Sequence, residues 1–316
     1  MLIGHQKQWE FLIKAIEQDN LSHAYLFSGY NSLGKKTVAL EFVKFLNCEN
    51  KKLNHKPCQS CRKCRDIGKN LYPDLMLIEP NKQEIQISQI REAHSFLSLK
   101  PYFSQFKIII INHADFLNQE AQSSLLKLLE EPKGETIFIL IAEFYQRLFP
   151  TILSRVESLK FYSVPENEIE KYLRENNISE NTAKEISSLS FGMPGKAIDF
   201  LNNPQKIEDL KKTRKEIIQL SRSDIINRFQ YVKTLLPKEK KDDTFSEIYN
   251  LKEILGIWLR CFREALLLKI KGKNVFMDYS LLRLIEIIRA IDKTIFWISS
   301  TNVNRKLALE NLMLEL

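Results

Sequence analysis

Residues 107–155 read KIIIINHADFLNQEAQSSLLKLLEEPKGETIFILIAEFYQRLFPTILSR. Behind Lys107 the run Ile108–Ile111 is short, β-branched and bounded by polar residues, which predicts a strand buried on both faces, as in parallel sheets. Asn112-His113-Ala114-Asp115 follows at its carboxyl end, where open α/β sheets place their ligands. Asn118 is set to cap a helix over Gln119–Leu129, whose apolar face carries Leu125, Leu126, Leu128 and Leu129. Glu130-Glu131-Pro132-Lys133-Gly134 stops that helix, because proline cannot continue it and glycine permits the exit. A second buried strand is predicted over Thr136–Ile141. Pro150-Thr151-Ile152-Leu153-Ser154-Arg155 then presents one arginine on a short helical segment.

Upstream, Leu2–Ile16 reads as an amphipathic helix with Trp9, Leu12, Ile13 and Ile16 on one face. Ser22–Phe27 reads as a strand running into Gly29-Tyr30-Asn31-Ser32-Leu33-Gly34-Lys35-Lys36-Thr37, with a helical pattern continuing to Leu46. Strand, G-x-x-x-x-G-K and helix is the context of a phosphate-binding P-loop: backbone N–H groups and a helix N-terminus converge on the phosphates, and Lys35 adds a point charge. A P-loop needs Ser or Thr after that lysine to hold Mg²⁺, and here Lys36 stands there. Thr37 comes one position later, about 100° further round the helix, and is a poor substitute. Two readings stay open: a nucleotide site built from Gly29, Gly34, Lys35, Lys36 and Thr37, or a relic loop kept for packing.

Five cysteines are present, and four of them, Cys48, Cys58, Cys61 and Cys64, fall within 17 residues. The C-x2-C-x2-C spacing lets three thiolates converge from one knuckle, and Cys48 can complete a tetrahedral zinc site with no open position. A redox pair or an iron–sulfur cluster is the alternative. His55 is read as a surface residue, since four thiolates suffice. Beyond the cluster, Tyr72–Ile78 is expected to be a strand, and Ile85–Leu97 a helix with Ile87, Ile90, half-buried His94 and Leu97. The strands and helices therefore alternate, the mark of a parallel sheet.

The whole chain has 316 residues, 44% hydrophobic and 27% charged, with a net charge of +8. That length suits two or three domains, and that composition an ordinary globular protein. No apolar run approaches the roughly 20 residues that cross a bilayer, and Met1–Asn20 shows no signal-peptide core, so a cytoplasmic protein is expected. The basic balance suits nucleic acid or an acidic partner, or merely a solvated surface. Helices are expected over Asn167–Asn176, Thr182–Leu189 and around Gly192–Ala197. From Pro204 onward the pattern is nearly all helical, with breaks at Pro237–Asp243 and Gly272–Asn274 and with Trp258 and Cys261 in the core.

The residues Ala121–Pro132 (AQSSLLKLLEEP) and Thr151–Arg155 (TILSR), with the P-loop, resemble the clamp-loader branch of the AAA+ ATPases, and within it the delta-prime family of bacterial DNA polymerase III. The resemblance covers nearly the whole chain and is most specific over Leu21–Phe161. It implies an α/β P-loop AAA+ domain, a parallel sheet with helices on both faces, over residues 1–162, with a zinc module inserted at about 48–64. A small helical lid over 163–203 and an all-α collar over 204–316 complete the implied architecture. The collar rests on the resemblance, its closest local matches being Trp258–Arg263 and Asn302–Glu310.

The same resemblance speaks to chemistry. In the family the strand end reads Asp-Glu-Ala-Asp, the first acid serving Mg²⁺ and the second activating water. Asn112 and His113 hold those positions here, and neither offers a carboxylate. Ile141-Ala142-Glu143 lacks the short polar group that senses the γ-phosphate, and Gly195 stands where the lid often carries an arginine. Arg155 matches the arginine finger that reaches a neighbouring subunit's nucleotide, although a surface salt bridge is the plainer reading.

The leading expectation is a non-motor subunit carrying structural zinc, able to take ATP or ADP but ill-suited to Mg²⁺. It would assemble with gamma/tau-like motor subunits and a delta subunit in a hetero-pentamer that loads a sliding clamp onto primed DNA, in the nucleoid-associated replisome, with no membrane. The alternatives are an active motor ATPase, or a freestanding zinc protein that binds nucleic acid and keeps a vestigial P-loop.

Overall fold

An apolar side chain at every position of Ile108–Ile111 obliges the strand it forms to be covered on both faces. In a computed structural model describing residues 2–50, 56–81, 84–132, 134–236, 244–272, 277–300 and 303–316, it is. The strands are β1 (Ala24–Ser28), β2 (Leu75–Ile78), β3 (Lys107–Asn112), β4 (Thr136–Ala142) and β5 (Glu157–Lys160). They pair in parallel, in the order β2-β3-β4-β1-β5.

The period-2 alternation of strand side chains divides the core in two. Tyr25, Phe27, Ile108, Ile110, Ile137, Ile139 and Ile141 face one way. They are covered by Leu12 of α1 (Gln6–Glu17), by Val38, Phe42 and Val43 of α2 (Lys35–Asn47), and by Ile67 of α3 (Arg62–Gly68). Leu26, Ile109, Ile111, Phe138 and Leu140 face the other way. Their cover is Ile90 and Leu97 of α4 (Ile87–Ser98), Leu125 and Leu128 of α5 (Gln119–Glu130), and Ile152 of α6 (Pro150–Leu153). Asn118 caps α5 as expected, its side chain accepting the Ala121 N–H at 2.8 Å. The layered AAA+ fold read from the sequence is the fold observed.

The chain divides into two compact units, Met1–Leu201 and Asn202–Leu316. The first ends with α7 (Glu166–Glu175), α8 (Glu180–Ser190) and most of α9 (Pro194–Asn202). The second is all helical among its described residues: α10 (Gln205–Ser221), α11 (Ile225–Leu235), α12 (Thr244–Ile270), α13 (Leu281–Ser300) and α14 (Arg305–Glu315). Trp258 and Cys261 are buried in it, as expected. No helix among the described residues is long and apolar enough to cross a membrane.

Three expectations are corrected, and one strand is new. β5 was not anticipated: four residues long with only Leu159 buried, it carries too short an alternation to register as a strand. His94 is exposed rather than half-buried, because Ala93 and Leu97 take the covered face of α4. Arg155 lies in the turn after α6, not on the helix. The strand expected from Tyr72 begins only at Leu75, because Asp74 has another task. Its buried carboxylate accepts the backbone N–H groups of Tyr102, Phe103 and Ser104 at 2.7, 2.6 and 3.0 Å. His55 and the breaks at Pro237–Asp243 and Lys273–Asn274 lie outside the described residues.

Asp74→Ala removes the acceptor of these N–H groups in a part-buried loop. Urea denaturation is expected to show a loss of about 2 kcal/mol or more, from donors left unpaired. A loss under about 0.5 kcal/mol, the scale of an ordinary surface change, would mean water satisfies them instead.

Candidate functional site

In this strand order the carboxyl ends of β1, β3 and β4 lie side by side, with Ser28 opposite Ala142 and Asn112 opposite Ile141. The loop after β1 therefore leaves the sheet at the same edge as the end of β3, the edge where such sheets bind ligands. Gly29 has φ 142°, and a Cβ there would meet the Phe161 carbonyl oxygen at 2.5 Å, so only glycine fits. Gly34 caps α2 in the left-handed conformation (φ 91°), with open space where a Cβ would project.

The loop is fastened from several directions. Buried Lys35 turns its ammonium onto the loop's own carbonyls, those of Gly29 and, at 2.6 Å, Tyr30. His5 Nε2 donates to the Leu33 carbonyl at 2.7 Å, and Asn31 donates to Glu143 Oε2 at 2.9 Å. The Gly195 N–H donates to the Ser32 carbonyl at 2.8 Å, and a side chain at Gly195 would meet that oxygen at 2.9 Å. Gly195 is thus a close-packing contact on the glycine loop itself. Thr37 is exposed on the first turn of α2.

The positions where the resemblance implies magnesium ligands carry a different set of groups. Lys36 Nζ lies 3.0 Å from Glu79 Oε1, and Asn112 Nδ2 donates to the same oxygen at 2.8 Å. Glu79 follows β2 directly and was not singled out from the sequence. Burial alone would raise its carboxyl, but the hydrogen bonds from Asn112 and Lys36 outweigh burial and hold it below its ordinary value. A magnesium site wants hard oxygen donors, and here an ammonium and an amide N–H point at the Glu79 carboxylate. These side chains do not fit a Mg²⁺ ion. Asp115, the last acid of the strand-end motif, is buried and engaged elsewhere, accepting the backbone N–H groups of Glu143 and Phe144 at 3.4 Å each.

Arg155 is partly exposed, with its guanidinium on Glu130 Oε1 at 2.9 Å and on the Thr151 carbonyl at 2.9 Å. The arginine is therefore paired, within its own chain, to the first glutamate of the LLEEP helix.

The sulfurs of Cys48, Cys58, Cys61 and Cys64 all lie within 4.8 Å of one another. Tetrahedral Zn–S bonds of about 2.3 Å suit this closeness, and four thiols are a donor set that zinc favours, so the cluster can hold a zinc ion. Backbone N–H groups already point at the sulfurs, from Cys58 to Cys48 at 3.4 Å, Cys61 to Cys58 at 3.3 Å and Cys64 to Cys61 at 3.4 Å. The Cys61 N–H is the main cause that pulls the Cys58 thiol down to about 6, whereas burial pushes Cys64 up.

A family profile described as "DNA polymerase III, delta subunit" matches residues 4–165. The chain belongs to the delta-prime family of DNA polymerase III clamp-loader subunits. It is 35% identical over 211 residues to "DNA polymerase III subunit delta'" of Bacillus subtilis, covering 67% of this chain and 62% of that protein. It is also 28% identical over 204 residues to "DNA polymerase III subunit gamma" of Buchnera aphidicola from Acyrthosiphon pisum, covering 64% of this chain and 56% of that protein. Both matches span less than two thirds of the relative's length. Among solved structures, a DNA polymerase III gamma subunit-related protein of Thermotoga maritima covers 97% of this chain and 97% of its own at TM-score 0.51 and 18% identity, a likeness of fold.

Native mass spectrometry is expected to find one zinc ion per chain, and Cys64→Ser to lose it. A wild-type chain that stays folded and metal-free in zinc-containing buffer would refute the assignment. The Glu79 carboxyl should titrate below its ordinary 4.5. Its pairing with Lys36 is therefore complete above that pH and is lost as pH falls through the lower folded value. NMR titration of the Glu79 side chain should show this, with an upward shift in Lys36→Met.

Proposed function

We propose that the chain is a non-motor subunit of a clamp loader, which helps to place a sliding clamp on primed DNA in the cytoplasmic replisome. The observation that carries this reading is the convergence of Lys36 and Asn112 on Glu79, at the two positions where a motor subunit needs a hydroxyl and a carboxylate for Mg²⁺. An ATP or ADP at Gly29–Thr37 would be held by backbone N–H groups and Lys35, and would stay unhydrolysed. His113, at the place of the water-activating acid, is no charged base.

In this reading Arg155 acts in trans. A guanidinium suits the charge that develops on a transferred phosphoryl group, and Arg155 would exchange Glu130 for a neighbouring subunit's nucleotide. The neighbours would be gamma/tau-like motor subunits and a delta subunit in a hetero-pentamer assembled through the C-terminal helical unit. The division into an AAA+ domain (1–162), a lid (163–203) and a collar (204–316) belongs to the same reading, as does a purely structural zinc.

The purified chain, given Mg²⁺ATP and primed DNA, is expected to release no phosphate above background. Turnover that Lys35→Ala abolishes would make it a motor and overturn the proposal. In a reconstituted complex, Arg155→Ala is expected to lower ATP turnover by a factor of about 10³ or more, the scale of other trans-acting arginines. An unchanged rate would return Arg155 to the role of a surface ion pair.

A further inference from the structure

Between the cysteine cluster and β3 the surface joins two features that the nucleotide edge does not use. The first is a basic ridge. Arg62, Arg65 and Lys69 follow one another at i, i+3 and i+7 along α3 and its cap, so they share a helix face, and all three are exposed. The Arg62 side chain is 76% exposed and has only a loose pairing with Asp66, at 3.6 Å.

The second feature is an aromatic step. Tyr102 is 75% exposed and Phe103 47%, and their rings meet edge to face with centroids 4.4 Å apart. Rings this exposed cost solvation free energy unless something covers them. They are not on a loose loop, because Asp74 holds the backbone N–H groups of both residues. The ridge and the step also touch. Arg62 lies over the Phe103 ring at 6.0 Å, and Lys63 Nζ donates to the Phe103 carbonyl at 2.9 Å. Exposed Lys100 adds a further cation on the approach to the step.

Cations that can track a backbone, beside rigid aromatic faces open to stacking, are the elements that bind single-stranded nucleic acid without sequence preference. We propose that the Arg62–Arg65–Lys69 ridge and the Tyr102–Phe103 step form a docking surface for single-stranded nucleic acid. The charge complementarity is direct, and the rings distinguish a strand with open bases from a duplex, whose bases are already stacked. The surface owes nothing to Lys36, Glu79 or Arg155, so it stands or falls independently of the non-motor reading.

The test is fluorescence anisotropy of the full zinc-loaded chain with labelled oligo(dT) of about 20 nucleotides, longer than the ~4–16 nucleotides such sites usually cover. Binding should weaken with salt. The double variant Arg65→Gln/Lys69→Gln should lower the log–log salt slope by about 1.4, at roughly 0.7 per phosphate contact on a single strand. Tyr102→Ala should weaken binding about tenfold, within the range of one lost stacking contact, while Tyr102→Phe keeps it. A thermal melt and zinc content matching the wild type establish that each variant is folded, and the charge variant reads out the surface if the tyrosine variant misfolds. Binding of oligo(dT) unaffected by both changes would overturn the proposal. So would duplex DNA of equal length bound as tightly as oligo(dT), or no salt-dependent binding at all.

Discussion

Covering the central strands on both faces is the constraint on which the rest of this structure depends. β1, β3 and β4 have no exposed position. A polar group placed mid-strand would lose water without gaining a partner, at a cost of roughly 1–3 kcal/mol. Polar chemistry is therefore confined to the strand ends and the loops that leave them. The glycine loop, Glu79, Asn112 and Glu143 are neighbours because each follows directly on, or closes, a strand of one parallel sheet.

At that edge the decisive substitution is electrostatic rather than steric. An exposed pair such as Lys36–Glu79 contributes little to stability. Its weight is chemical: the ammonium brings one positive charge to the carboxylate that follows β2, and the Asn112 amide donates to the same oxygen. The loop itself is restrained at Leu33 by His5 and at Ser32 by Gly195, contacts that order its backbone whatever it binds.

The cysteine module follows a different logic. Among the described residues of the stretch from Cys48 to Cys64, only Cys48 and Cys64 are buried. Its four convergent thiols can hold a metal ion, and Gln59 and Lys44, which both bond Glu41, fasten the module to α2. That attachment positions α3 and, through Lys63 and Arg62, the aromatic step beyond it.

Much of this was written locally. The β-branched runs, the Asn118 cap and the cysteine spacing each depend on residues a few positions apart, so the alternating βα order, the buried strands and the candidate zinc ligands were legible in the chain. β5 was not, because one buried leucine in four residues carries no periodic signal, and neither was the exposure of His94. The sequence by itself determined the fold class, the family resemblance and the residue types, Lys36 and Asn112, that stand where the resemblance implies a hydroxyl and a carboxylate. Only the tertiary structure decided what replaced them. Lys36 and Asn112 stand 43 and 33 residues from Glu79, and no local pattern links them. They meet because the strand order brings distant loops to one edge, where a single carboxylate oxygen is within reach of both.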